Sequence, residues 1–148
     1  MDQKERQIVV NLIATLVTVG LYVLYVYQKQ VAGNIEILDD FKFWGKSFLW
    51  LIPVSIVALI IIHIIYAIIN KIVTKEDIPT IDDERDRIIE LKSIRISHWI
   101  FTTGFICAMG VLAFGAKPSA MFIILLASGF GSAIISELVK LYYYRKGV

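Results

Sequence analysis

Four long apolar blocks dominate this sequence, at about residues 7–27, 45–69, 94–114 and 118–139. A helix rises about 1.5 Å per residue, so about 20 apolar residues cross the roughly 30 Å hydrocarbon core of a bilayer. Each block is long enough, and none shows the two-residue alternation of a membrane barrel strand. The sequence therefore predicts an all-α integral membrane four-helix bundle that forms one transmembrane domain over residues 1–148.

The composition supports this prediction and excludes several other classes. Hydrophobic residues make up 57% of the chain and charged residues 19%, against about 45–50% and about 25% in soluble domains. A net charge of +2 does not indicate nucleic-acid binding. The sequence contains no P-loop, zinc-protease motif or serine-nucleophile elbow. We therefore expect a protein that is not an enzyme and has no cofactor, no metal site and no nucleic-acid partner.

The basic residues indicate how the chain crosses the membrane. Eleven lysines and arginines lie at the two termini and in the segment 71–95, whereas four lie in the other two connections. The positive-inside rule then places both termini in the cytoplasm of a multi-pass plasma-membrane protein. Trp44 and Trp50 are predicted to mark the outer membrane interface, and Trp99 the inner one.

The charged segment 75–95 is predicted to lie in the cytoplasm. Thr80 and Asp83 have the spacing of a capping box, and no glycine or proline follows until Gly104. This pattern predicts one continuous helix, which begins as a charged cytoplasmic helix at about 81–93 and then becomes the third span.

Three acids in this helix, Asp82, Asp86 and Glu90, are spaced by four residues and therefore share one face. Their oxygens could bind a hard cation, or the helix 81–95 could dock a basic surface of a protein partner. The third interpretation, a solvated face with its own weak ion pairs, is the one that the sequence favours.

The same region carries a recognisable pattern. Asp83-Glu84-Arg85-Asp86 is followed by an isoleucine, Lys92 and Arg95, which gives D-E-R-D-x-x-I-x-x-K-x-x-R. This pattern resembles a signature of small uncharacterised prokaryotic membrane proteins with four spans, and the resemblance covers about residues 80–145. It implies a prokaryotic origin, a plasma-membrane location and a four-helix layout, and it implies no catalytic residues.

Polar side chains inside a span are costly and are therefore functional candidates. Six are predicted to lie in the cytoplasmic half of the membrane: Asn11, His63, Asn70, Arg95, His98 and Glu137. We expect the hairpin of spans three and four to bring Arg95 and Glu137 together as an ion pair. His63 is interpreted either as a proton relay or, more commonly for such a residue, as a neutral hydrogen-bonding group.

Small residues predict how the spans pack. Ser128 and Ser132 in span four, with Gly104 and Ala108 in span three, allow close helix approach. The same spacing also suits a contact between two copies in a homo-oligomer. The outer segment 28–44 is interpreted as either a plain loop or a loop with a short interfacial helix.

The sequence thus favours a non-enzymatic accessory, regulatory or immunity-type membrane protein. Such a protein would act through helix packing in the lipid bilayer and through a charged cytoplasmic helix offered to a protein partner. The alternative is a small oligomeric proton- or cation-coupled transporter that uses Glu137 and His63.

Overall fold

The computed structural model describes residues 3–74 and 83–147. This part of the chain forms four α-helices and contains no strand: α1 Gln3–Val26, α2 Phe41–Thr74, α3 Glu84–Ala113 and α4 Pro118–Lys146. All four are long and apolar enough to cross a membrane. The predicted all-α class and the four candidate spans are therefore confirmed.

The helix α3 is continuous from the charged segment into the third apolar block, as predicted, but it begins at a different cap. Asp83 is the N-cap, and its carboxylate accepts a hydrogen bond from the Glu84 backbone N–H at 2.7 Å. The Asp86 carboxylate in turn accepts from the Asp83 N–H at 3.4 Å, which completes a capping box. Thr80 and Ile81, where the helix was predicted to begin, lie outside the described residues.

The connection between α1 and α2 is more ordered than a plain loop. A π-helical turn, Tyr27–Val31, extends α1, and a short 3-10 helix, Ile35–Asp39, follows it. Asn34 caps this 3-10 helix by accepting a hydrogen bond from the Glu36 N–H at 3.2 Å. The helix α2 then begins at Phe41, so the segment that was interpreted as a plain loop or a short interfacial helix contains a 3-10 helix and the first residues of α2.

The helices pack in the order α2, α1, α4, α3. The most extensive contact joins α3 to α4, while α1 packs against both α4 and α2. Within residues 3–74 and 83–147, α2 and α3 are not packed against each other along their lengths. An apolar cavity of about 720 Å³ lies among the four helices, with Leu59 of α2 and Phe101 of α3 in its wall.

We refer to the two ends of the helical assembly as the terminal face and the loop face. The terminal face contains the start of α1, the start of α3 and the end of α4, since Lys4 and Tyr144 both contact Asp86. The loop face contains the α1–α2 connection and the α3–α4 turn, since Asp39 contacts Lys117. The start of α1 and the end of α4 therefore lie at the same end of the helices.

The helices α3 and α4 are in tight contact at Gly104. A Cβ atom added there would lie 2.1 Å from the Ser128 Cβ, which is well inside van der Waals contact. Ala108, one turn further along α3, is fully buried. This contact agrees with the close packing that the small residues predict, because only glycine leaves room for the neighbouring helix.

An aromatic cluster closes the loop face. The Trp44 ring stacks on Phe122 of α4 with centroids 5.2 Å apart, and its Nε1 donates to the Leu38 carbonyl oxygen at 2.7 Å. Phe43 and Val31 are buried beside it. The position of Trp44 at the membrane interface stays a prediction; within the fold the residue is only 7% exposed and joins α2 to α4.

We expect the substitution Gly104→Ala to destabilise the protein by about 1–3 kcal/mol, since overpacking a tight contact forces the helices to shift. The free energy of unfolding can be measured by titration with a denaturing detergent and followed by circular dichroism. Gly110→Ala is the matched control, because a Cβ there meets nothing within 4 Å. Equal effects of the two substitutions would contradict the proposed role of Gly104.

Candidate functional site

Asp86 is the centre of a polar cluster at the terminal face. Its carboxylate lies 3.1 Å from the Lys4 Nζ and accepts a hydrogen bond from the Tyr144 hydroxyl. Only 15% of the Asp86 side chain is exposed. One carboxylate therefore joins the first turn of α1, the first turn of α3 and the last turns of α4.

Cationic side chains of α3 extend this cluster along α4. The Arg85 guanidinium donates to the Tyr144 carbonyl oxygen at 3.2 Å and lies 5.7 Å from the centre of the Tyr144 ring. The Lys92 ammonium lies 4.8 Å from the centre of the Tyr143 ring. Cation–π contacts of this kind contribute about 0.5–2 kcal/mol each. The charged part of α3 is thus fixed to α4.

The acidic stripe predicted on α3 does not form one outward-facing surface. Asp82 lies outside the described residues, Asp86 is directed into the assembly and Glu90 is exposed. Among the described residues, no group of three or more His, Cys, Asp or Glu side chains could hold a metal ion. Asp86 acts instead as the acceptor that anchors α3.

The predicted ion pair between Arg95 and Glu137 is wrong. Glu137 Oε1 lies 2.9 Å from the Nζ of Lys140, three residues further along the same helix. Residues three apart share a helix face, so Lys140 reaches Glu137 without any contribution from α3. Arg95 and His98 are exposed, whereas Ser93, which packs inward, is fully buried. A two-residue step turns a helix by about 200°, which directs Arg95 away from the side that Ser93 occupies.

Asn11 and Glu137 lie at the same depth of the assembly. Lys4 and Tyr144 both contact Asp86 and therefore lie at about the same depth. Asn11 follows Lys4 by seven residues on α1, and Glu137 precedes Tyr144 by seven residues on α4. Each of the two therefore lies about 10 Å further from the terminal face. Asn11 Oδ1 and Glu137 Oε2 are buried and have no hydrogen-bond partner in the described structure. A buried acceptor without a partner costs about 1–3 kcal/mol.

The two polar residues predicted in α2 have different environments. Asn70 is buried, with 4% of its surface exposed. His63 is half-buried, and within the described ranges no side chain forms a hydrogen bond or ion pair with it. The six predicted residues therefore do not form one cluster. Of the six, only Asn11 and Glu137 have buried oxygen atoms without hydrogen-bond partners in the described structure, and these two lie at about the same depth.

A second polar contact lies at the loop face. The Asp39 carboxylate accepts hydrogen bonds from the Lys117 Nζ at 2.9 Å and from the Ser119 Oγ at 3.1 Å. The bond from Lys117 is the main cause that lowers the pKa of Asp39, and the same bond raises the pKa of Lys117. Both groups therefore stay charged at neutral pH and connect the α3–α4 turn to the 3-10 helix.

Sequence reasoning missed the contacts of Lys4, Tyr144 and Asp39. In the sequence, Lys4 is informative only as one of the basic residues that indicate membrane orientation, and the tyrosines at 142–144 are typical of an interfacial belt. One available signal was that Lys4 and Asp86 carry opposite charges near helix ends predicted to share a side. Hydropathy contains no information on which of several nearby acids pairs with a given lysine.

No protein-family model matches this chain, no curated protein shows significant similarity to it, and no solved structure matches its fold. The resemblance of residues 83–95 to a signature of small prokaryotic membrane proteins therefore stays a prediction.

We expect Tyr144→Phe to lower the free energy of unfolding by about 1–3 kcal/mol, because it removes a hydrogen bond to a largely buried carboxylate. The measurement is the same detergent titration that tests Gly104. Tyr142→Phe is the control, since the Tyr142 side chain is 57% exposed. The cluster would not hold the helices together if both variants unfolded like the unsubstituted protein.

Proposed function

We propose that this chain is a non-enzymatic accessory or regulatory protein of a prokaryotic plasma membrane, with immunity proteins as one such type. In this proposal it is a four-helix bundle with both termini in the cytoplasm, and it binds a protein partner through the first turns of α3. One observation carries the proposal: Ile88 and Leu91 are 52% and 68% exposed on a part of α3 that is otherwise charged.

The length of α3 supports a position for these side chains outside the hydrocarbon core. The helix has 30 residues, and about 20 are enough to cross the core. The apolar part begins at about Ile94, so about ten residues precede it. Ile88 and Leu91 belong to this extension, where lipid tails do not account for exposed apolar side chains.

The exposed face has the composition of a small docking surface. Ile88 and Leu91 are three residues apart and therefore neighbours on one side of the helix. Exposed Arg87 and Glu90 flank them, which gives an apolar centre with a charged rim. The opposite side of the helix is buried at Ile89, which is 1% exposed.

The anchoring of α3 also favours binding at this surface. Asp86 and Arg85 connect the first turn of the helix to α1 and α4. A partner that binds a helix already held in place does not have to order it, and this reduces the entropy cost of association.

We expect the double substitution Ile88→Ser with Leu91→Ser to abolish partner binding and leave the fold intact. The measurement is native mass spectrometry of the tagged chain, extracted from its own membrane in a gentle detergent. A second protein at fixed stoichiometry should accompany the unsubstituted chain and be absent from the variant. Ile72→Ser with Val73→Ser is the matched control. These two residues are 73% and 72% exposed and lie near the end of α2.

Two results would contradict this proposal. One is extraction of the unsubstituted chain without any second protein. The other is equal loss of the partner in the α3 variant and the α2 control, which would indicate non-specific adhesion of exposed apolar residues.

A second candidate function, proton- or cation-coupled transport by an oligomer, is favoured by a different observation. Glu137 Oε2 and Asn11 Oδ1 are buried without hydrogen-bond partners in the described structure. Two acceptors at one depth can share a proton or a small cation, and ionisable groups at membrane depth frequently mark such pathways. His63 is the other titratable group assigned to this function.

For this second candidate, Glu137→Gln should abolish proton-coupled flux into proteoliposomes. The variant should remain folded, with an unfolding midpoint in the detergent titration close to that of the unsubstituted protein. The removed group is the one that would carry the proton. Glu90→Gln, at an exposed position of α3, is the control and should retain full flux. Undiminished flux in the Glu137 variant, or no flux in the unsubstituted protein, would eliminate coupling through this carboxylate.

A further inference from the structure

A second cavity, of about 830 Å³, lies between α1 and α2 in the half of the assembly nearest the loop face. Lys46 and Gln30 lie at its polar end, and Val54, Ala58 and Ile62 line its apolar part. We refer to this cavity as the α1–α2 groove. Its volume lies within the range of about 300–1,000 Å³ that is typical of ligand sites.

The length of the groove corresponds to one leaflet of a bilayer. From Lys46 to Ile62 the helix α2 advances 16 residues, or about 24 Å. Half of a bilayer, including its headgroup region, measures about 20–23 Å. A groove of this length with Lys46 at headgroup level would therefore end near the middle of the membrane.

The charge at the groove entrance favours an anion. The Lys46 side chain is exposed, and within residues 3–74 and 83–147 no acidic side chain forms an ion pair with it. The Gln30 amide also lines the groove. An ammonium group and an amide donor are suited to phosphate oxygens.

A hydrogen bond joins the two walls of the groove. The Tyr22 hydroxyl donates to the Ser47 carbonyl oxygen at 2.6 Å and so connects α1 to α2. Tyr25 and Trp50, which are 57% and 67% exposed, line the groove near its entrance. Such side chains prefer the level of the lipid headgroups, which agrees with the depth assigned to Lys46.

We propose that the α1–α2 groove binds one anionic glycerophospholipid from the leaflet at the loop face. Its phosphate contacts Lys46 and Gln30, and one acyl chain lies along Val54, Ala58 and Ile62. This site is separate from the α3 surface proposed for a protein partner and from Glu137, so it does not depend on either function.

The headgroup contact is tested by native mass spectrometry of the full chain with equal amounts of phosphatidylglycerol and phosphatidylcholine of identical acyl chains. The unsubstituted protein should retain phosphatidylglycerol preferentially. Lys46→Gln should lower the ratio of bound phosphatidylglycerol to phosphatidylcholine about fivefold, the effect of one lysine near an anionic lipid. Lys42→Gln is the control, because Lys42 is exposed one turn earlier on α2 and does not line the groove.

The acyl-chain contact is tested separately with Ala58→Phe, which fills the groove and should remove the retained lipid of either headgroup. Val57→Phe is its control, since Val57 is 54% exposed and lies outside the groove. If the Ala58 variant fails to fold, the comparison of Lys46 with Lys42 still decides the proposal.

Three results would overturn it. The first is equal retention of the two lipids by the unsubstituted protein. The second is an equal effect of the Lys46 and Lys42 substitutions. The third is a homodimer without bound lipid that Ala58→Phe dissociates, since a second copy would then occupy the groove.

Discussion

The Asp86 carboxylate connects three of the four helices at the terminal face. It completes the capping box that begins α3, pairs with Lys4 of α1 and accepts the Tyr144 hydroxyl of α4. A carboxylate that is largely removed from water needs several donors, because leaving any of its oxygens unpaired is costly. The hydrogen bonds and the ion pair of this carboxylate therefore fix the ends of three helices relative to one another.

The sequence predicted those features that depend on hydropathy and failed where side-chain direction decides. The four spans were found because about 20 apolar residues in a row have few alternatives to crossing a membrane. Arg95 was paired with Glu137 from depth alone, but depth does not specify which side of a helix faces its neighbour. Trp44 is a residue type that is common at membrane interfaces, but its burial against Phe122 depends on the tertiary fold at the loop face, which hydropathy does not predict.

The polar groups of the described residues include a cluster at each end of the assembly and several buried groups between the two ends. Asp86 and Asp39 use their oxygens to hold helices together, whereas Glu137 and Asn11 retain buried oxygens without partners in the described structure. A group that serves only packing is expected to have its hydrogen bonds satisfied. Glu137 and Asn11 are therefore polar groups that packing within the described residues does not satisfy.

The length of α2 has a consequence for the membrane itself. With 34 residues the helix measures about 50 Å, and it is longer than any of the other three. A helix that exceeds the local hydrocarbon thickness tilts, kinks or thickens the surrounding bilayer. The helix α2 packs along α1, and Trp44 near its start stacks on Phe122 of α4, so a change in its inclination would be transmitted to both helices. A bilayer that contains this chain would therefore have to accommodate one helix of about 50 Å beside three shorter ones.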